Sequence, residues 1–478
     1  MLSNIFKLIS KYSNKKKFII LIILLFVSTI LQYLLYLTLP ILAFQLTSIS
    51  LETTNFSLDN ISNIDLLGLN IKFSLEKILY ASIFLAISAN LFSIYFIKDS
   101  AYFSFKLSSD IQINIFRNYL FKKYSYFLNH TKSESLNNII TDMFRLPAGI
   151  FIPFFQFISS IILAVLLILT LFIVNFKVSM IVLSILSATY LLVFRYFKKK
   201  LYQTSVDISS SHKKIYEIVS YSLGLNKDVK LYNLEKYINE KFTSMSKILI
   251  NTRTFANFIS TSPKYIVEAI TIFFSILAVI FLYRNNLFNQ ETILFFMFFG
   301  ILSVKIIPAL QSIYVSLSAM QSNKSLIDTL PSINLKNSEK NTKNYFNFKK
   351  KLQLKKISFN YDSSANVISN LNLNIHKGEK ISIIGSNGSG KTTLINIISG
   401  LLKPSNGKIF IDGKNIEKKN YFKLFSILDP NPIFMNASIY ENICFKEKIN
   451  FNEKKNIDKI LSIVEIGDKH KKNLLQII

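Results

Sequence analysis

Residues 18–51 carry no charged side chain, and 18–39 are almost wholly aliphatic or aromatic before Pro40. A helix crossing a bilayer needs about 20 such residues. Inside hydrocarbon, only structures that satisfy their own backbone hydrogen bonds persist. This one run therefore excludes most folds open to an ordinary water-soluble chain. Further uncharged runs cover 78–97, bracketed by Lys77 and Lys98, then 146–176, and 178–194 after Lys177. Two more, 265–283 and 292–322, are interrupted by Glu268 and Lys305. The pattern predicts six spans, at about 18–44, 78–97, 147–176, 178–197, 263–283 and 290–322. Glu268 and Lys305 are read as solvated extensions near the cytoplasmic ends of their helices.

Composition agrees. Only 18% of residues are charged, against roughly 25% in soluble domains, so much of the surface does not face water. Cys444 is the single cysteine, which excludes a disulfide-stapled secreted module. The 56 basic and 28 acidic residues give a net charge of +28, and their placement sets orientation. Lys7, Lys11, Lys15, Lys16 and Lys17 precede the first span without an acid, whereas Glu52, Asp59, Asp65 and Glu76 dominate the first connection. The second and fourth connections are again basic. The N-terminus, the long basic loops and the C-terminal region are expected inside, with short loops outside. The length and flanks of the first run do not suit a cleaved signal peptide. The long loops, 98–145 and 195–264, mix apolar and charged residues at helical spacing and are expected to continue the spans as helices. Basic residues interleaved with aromatics on a soluble face are not found, so no nucleic-acid partner is expected.

Glycine marks a second domain. Residues 1–377 hold Gly68, Gly149, Gly224 and Gly300 alone, while 378–467 hold eight of the 12 glycines. A polar linker, 331–351, separates a transmembrane domain, 1–330, from a soluble region, 352–478. Strands are expected at 352–359, 367–375, 380–384, 408–411 and 425–428. Within this region Gly385-Ser386-Asn387-Gly388-Ser389-Gly390-Lys391-Thr392 is a complete phosphate-binding loop. Its glycines let backbone N–H groups converge on phosphate oxygens, Lys391 faces the β- and γ-phosphates, and the Thr392 hydroxyl suits Mg²⁺. The helix that follows adds its N-terminal dipole. Upstream, Tyr361 ends an aromatic segment and is either a strand-end core residue or a stacking face for adenine.

These features resemble ABC exporter half-transporters. The resemblance covers nearly the whole chain: the aromatic segment 359–361, the P-loop with Thr393 and Leu394 after it, 407–413, and 438–443. Segments 123–142 and 224–242 are similar to the family's two cytoplasmic coupling regions. By overall texture the chain resembles bacterial flippases of lipid-linked oligosaccharides. The resemblance implies a membrane all-α six-helix exporter domain followed by an α/β P-loop ATP-binding domain. It implies ATP bound through Tyr361, residues 385–392 and Thr393, with Mg²⁺. It further implies a homodimer or a heterodimer with another half-transporter, contact with membrane lipids, and a lipid-linked or amphipathic substrate moved across the bacterial cytoplasmic membrane.

Two departures stand out. Where the family's Q-loop glutamine falls, this chain has Pro430 beside Asp429, and Asp429 becomes the candidate second Mg²⁺ ligand. The signature Leu-Ser-Gly-Gly-Gln, an Asp–Glu pair after four apolar residues, and a suitably placed switch histidine do not occur in the 478 residues. The ATP-binding domain is accordingly expected to be C-terminally incomplete, binding nucleotide weakly and not turning it over alone. The alternative class is a non-catalytic nucleotide-binding membrane protein, or a regulatory partner of a complete half-transporter.

Overall fold

The computed structural model describes residues 1–52, 65–66, 69–70, 75–174, 176–284, 290–329, 348–361, 366–416, 421, 424–428, 432, 434–446 and 449–464. The chain divides into two compact units, Met1–Lys340 and Asn341–Ile478.

The first unit is helical because its apolar runs admit no other way of satisfying the backbone. Helix α1 (Leu2–Tyr12) is amphipathic and buries Ile5 and Ile9. It is followed by α2 (Lys15–Glu52), which contains Pro40, a short hairpin of β1 (Asp65–Leu66) and β2 (Leu69–Asn70), and α3 (Leu75–Leu120). Next come α4 (Tyr124–Asn129), α5 (Lys132–Leu136) and α6 (Asp142–Leu146), with π-helical turns at Asn137–Thr141 and Pro147–Phe151 leading into α7 (Ile152–Val174). The unit ends with α8 (Phe176–Gly224), α9 (Asn226–Leu231), α10 (Glu235–Thr261), α11 (Pro263–Arg284), α12 (Gln290–Ser322) and α13 (Lys324–Thr329). Helix covers the expected spans among the described residues. Among the described residues, four stretches are long and apolar enough to cross a bilayer: Lys15–Pro40, Glu76–Leu120, Ser133–Ile173 and Phe299–Ser322.

Helices α3 and α8 do not stop where the apolar runs stop. At 46 and 49 residues, with a rise of about 1.5 Å per residue, each is about twice as long as the roughly 30 Å hydrocarbon core. Their charged halves are the basic connections expected to be helical. Phe103 and Phe155 belong to the main core with Leu25, Leu107, Ile111 and Phe151, and the half-buried Phe18 packs against both rings.

Lys305 is not the solvated extension expected of it. Its ammonium lies 4.4 Å from the Tyr36 ring centre, and Tyr36 is near the middle of the uncharged run 18–51. Helix pairing overrides the sequence reading here: α12 lies against α2, and that brings the side chain to an aromatic face. Glu268 pairs with Lys264 one helical turn away, at 3.6 Å.

The π-interrupted segment is held by buried polar groups. Arg145 Nη1 donates to Ser209 Oγ (3.1 Å) and Nη2 to Asn323 Oδ1 (3.0 Å), and the guanidinium pairs with Asp142 at 3.5 Å. Asn137 Nδ2 donates to the other Asp142 oxygen, and Gln112 Nε2 on α3 donates to the Ile139 carbonyl. Arg253 on α10 reaches His212 on α8, Nη2 to Nε2, at 3.0 Å. Burial, then the charges of Arg145 and Arg253, push the His212 imidazole down to about 4 from 6.5.

In the second unit the sheet order is β4-β3-β5-β6, antiparallel throughout, built from β3 (Lys351–Phe359), β4 (Ile368–His376), β5 (Asn406–Ile411) and β6 (Lys414–Asn415). Leu352, Leu354, Ile357, Ile409 and Ile411 form one face and pack against Ile397 of α14 (Lys391–Ile398). Helices α15 (Ile439–Cys444) and α16 (Phe451–Ile463) both begin with capping boxes, Ser438 with Glu441 and Asn450 with Glu453. Asp412 turns the end of β5 and accepts the backbone N–H groups of Lys349, Lys350 and Lys351, which hold its carboxyl below the usual range.

Two expected strands are not strands. Residues 380–384 and 425–428 are irregular, and Ile384 and Leu428 are each 91% exposed. Apolar, β-branched composition is a local property, but a strand exists only when a neighbour takes its N–H and C=O groups. Among the described residues no ladder pairs with either segment.

Two outcomes follow for the first unit. Removing one partner of a buried ion pair strands the other, so Asp142→Ala or Arg145→Met alone should destabilise the detergent-solubilised protein by about 3–5 kcal/mol. The double variant should cost less than the sum, read from chemical unfolding as a double-mutant cycle. His212 has a folded pKa below its unfolded one, so the unfolded chain takes the proton first. The stability it contributes is therefore present above about 6.5 and is lost as pH falls towards about 4. Thermal midpoints measured across that window should fall less steeply in His212→Gln.

Candidate nucleotide site

The loop between residues 384 and 391 is built by the helix that follows it. Gly390 is the N-cap of α14 at φ 91°, a left-handed conformation that turns the chain sharply into the helix. Ser386 C=O accepts from Ser389 N–H at 3.2 Å, closing the preceding turn. A side chain at Gly385 would bring its Cβ within 2.7 Å of Ser389 Oγ, so the first glycine leaves the loop just enough space to fold over that hydroxyl. Residues 385–389 are exposed, Gly390 is half-buried, and Thr392 is exposed in the first helical turn.

Lys391 reaches back over the loop: its Nζ donates to the carbonyls of Gly385 and Ser386, both at 2.8 Å. The ammonium thus sits at the loop mouth, held by two weak carbonyl partners that a phosphate oxygen outcompetes electrostatically. Exposed backbone N–H groups, a helix start and a positioned ammonium fit a nucleotide's phosphates.

Thr393 and Tyr361 are brought together, away from that mouth. Thr393 is buried, and its hydroxyl lies 3.0 Å from the Tyr361 hydroxyl. The Tyr361 ring meets Phe359 edge to face at 4.8 Å. This link fastens the aromatic segment to the helix behind the loop. It was not legible beforehand, since nothing in the spacing of Tyr361 and Thr393 signals a hydroxyl pair. Asn360 adds a second tie, its Oδ1 accepting from Ser405 Oγ at 2.6 Å. Asp429 and Pro430 lie outside the described residues. Among those described, no cluster of three or more His, Cys, Asp or Glu side chains could hold a metal by itself.

The description "ABC transporter transmembrane region" matches residues 18–306, more than half of the chain, and "ABC transporter" matches 368–477. The chain belongs to the ABC transporter family. The heterocyst differentiation ATP-binding protein HepA of Nostoc sp. is 24% identical over 355 residues, covering 71% of this chain and 56% of that protein. The probable microcin-H47 secretion/processing ATP-binding protein MchF of Escherichia coli is 38% identical over 97 residues, 20% of this chain and 14% of that one. The chain thus spans little more than half the length of HepA. A solved bacterial Atm1-family ABC exporter with ATP bound has the same fold, with TM-score 0.76 over 96% of this chain and 80% of that one, at 13% identity.

Losing a charged hydrogen-bond donor costs about 1.5–3 kcal/mol, or about ten- to hundred-fold in affinity. Lys391→Ala should therefore weaken ATP binding by that factor in a fluorescent-nucleotide titration. Gly385→Ala should also weaken it, and adding Ser389→Ala, which removes the clashing Oγ, should restore a substantial part of the loss.

Proposed function

We propose that this ABC transporter chain is one half of an ATP-driven exporter or flippase acting on an amphipathic or lipid-linked substrate in the bacterial cytoplasmic membrane. The observation that carries the reading is the phosphate-binding loop, with Lys391 held at its mouth, in one chain with membrane-length apolar helices. In this reading the N–H groups of 385–390 and the Lys391 ammonium hold the phosphates. Thr392 and Asp429 serve Mg²⁺, and Tyr361 offers its ring to adenine. Six spans with the N-terminus and the ATP-binding unit inside, and pairing with a second copy or another half-transporter, complete it. The excess of Lys and Arg on the assigned inside supports that orientation.

The substrate class draws support from Lys305. A cation inside an apolar run is a functional group by default, and among the described residues no carboxylate pairs with it. Pro40 and Pro308 lie four residues after Tyr36 and Val304, and each lacks the N–H that would bond that residue's carbonyl. The ammonium suits a negatively charged substrate headgroup, and helix carbonyls without that N–H partner suit hydroxyls, as a lipid-linked sugar phosphate has both.

The test is translocation, in proteoliposomes that hold this chain together with a complete half-transporter to supply the signature loop its 478 residues lack, of a fluorescent lipid-linked sugar phosphate and of an uncharged amphipath of equal chain length. Movement should require ATP, be lost in Lys391→Ala, and fall several-fold for the charged substrate alone in Lys305→Gln. ATP binding intact with no Lys391-dependent movement of either compound would sink the proposal.

A further inference from the structure

The sheet of the second unit has a second face. Inward residues pack on α14, and the alternating outward ones wall a groove of about 660 Å³. Its lining includes Lys355, Lys356, Lys408, Asn372, Asn374 and Phe410, and no acidic residue contributes to it. In a chain with a net charge of +28, three lysines on a surface say little by themselves. Their placement says more.

Lys355 and Lys408 are direct cross-strand partners, a pairing in which like charges disfavour the sheet. The adjoining Lys356 sits in a β-bulge at φ 50°, a left-handed backbone that side chains other than Asn and Asp rarely adopt. Across from the bulge, Gly407 has φ 95°, and a Cβ there would come within 2.4–2.6 Å of the Lys355 and Lys356 carbonyls. Two locally unfavourable choices, the opposed lysines and the left-handed Lys356, thus converge on one depression that Gly407 makes room for, a pattern that marks function more often than accident. Among the described residues none of the three lysines has a carboxylate partner. The carboxamides are oriented to match. Asn374 Oδ1 accepts from Gln353 Nε2 at 3.1 Å, and Asn372 Oδ1 accepts from Lys356 N–H at 2.9 Å. Asn372 Nδ2 also gives one N–H to the Asn370 carbonyl at 3.4 Å; the N–H groups that remain on the two amides can meet a ligand, and N–H groups favour an anion.

We propose that this groove binds the phosphate chain of a small polyphosphorylated molecule, at a site separate from the P-loop. Lys355 and Lys408 close on the chain from opposite strands, Lys356 flanks it, and the Asn372 and Asn374 amides donate to its oxygens. A volume of this size is that of a small-molecule site, and the charge calls for more than one phosphate.

The 478-residue chain in detergent micelles, carrying Lys391→Ala to weaken the P-loop, is titrated with inorganic tripolyphosphate and separately with ATP by calorimetry at low salt. Tripolyphosphate should bind, and Lys355→Gln/Lys408→Gln should weaken it at least tenfold. Asn374→Asp, which keeps the acceptor for Gln353 but adds a negative charge, should weaken it similarly. The thermal midpoint of the double-lysine variant should be unchanged or higher, since an opposed pair of charges has been removed. Groove-dependent binding of ATP as well would identify a nucleotide as the source of the chain; dependence for tripolyphosphate alone would identify the free polyanion. Absence of tripolyphosphate binding, or affinity unchanged within twofold in the double-lysine variant, overturns the proposal. Neither result bears on ATP binding at the P-loop, which the wild-type and Lys391→Ala comparison reads separately.

Discussion

Hydrocarbon offers the backbone no hydrogen-bond partner, and the architecture of the first unit answers that one constraint. Each apolar run must become a helix. Once it has, burial loses its usual meaning, because side chains such as Ile83, Phe84, Ile87 and Phe273 are large, apolar and exposed. In water such a surface would be an aggregation hazard; against lipid it is the solvent-compatible face. The hydrophobic effect then cannot hold helix to helix within the bilayer, and packing has to do so. The packed side chains of Leu167 and Leu171 on α7 with Leu302 and Ile306 on α12, and hydroxyl pairs such as Ser160 Oγ to Ser312 Oγ at 2.7 Å, are the means used here.

Where the helices carry charge, the problem inverts. Asp142 is buried and Arg145 largely so, and their mutual attraction alone would not offset the desolvation of both. The surrounding donors and acceptors, Asn137, Ser209 and Asn323, supply the difference by filling the remaining hydrogen-bonding positions. Partners on α8 and in the turn that follows α12 fix the interrupted segment between α5 and α7, and the two π turns let that segment change its phase to reach both. Gly149 belongs to the same arrangement, since any side chain there would run into the Asn323 amide that Arg145 uses.

Much of this was legible in advance, and the boundary of legibility is physical. Apolar runs are self-announcing because the bilayer tests composition over about 20 residues, and helix covers all of those read from residues 18–51 onward. The P-loop was legible because its chemistry needs glycine at fixed spacings in a chain that elsewhere avoids glycine. Residues 380–384 and 425–428 were misread because a strand is a relation between two segments, and propensity sees only one. The partners of Arg145 were not legible, and Lys305 was misread as a solvated charge, because the groups that receive them lie up to 269 positions away, as with Tyr36. Tyr361 fell between: its aromatic character was plain, but its hydroxyl partner on α14 was not.

Helix α8 runs without a break from its apolar end to Gly224. A rod of about 74 Å, at about 1.5 Å per residue, behaves as a lever with its fulcrum wherever the packing is tightest. Pivoting it by only about 5° about one end would sweep the other through about 6 Å, roughly the pitch of one helical turn. Motions too small to disturb side-chain packing around Tyr190 would thus become, at the far tip, displacements large enough to exchange one set of contacts for another.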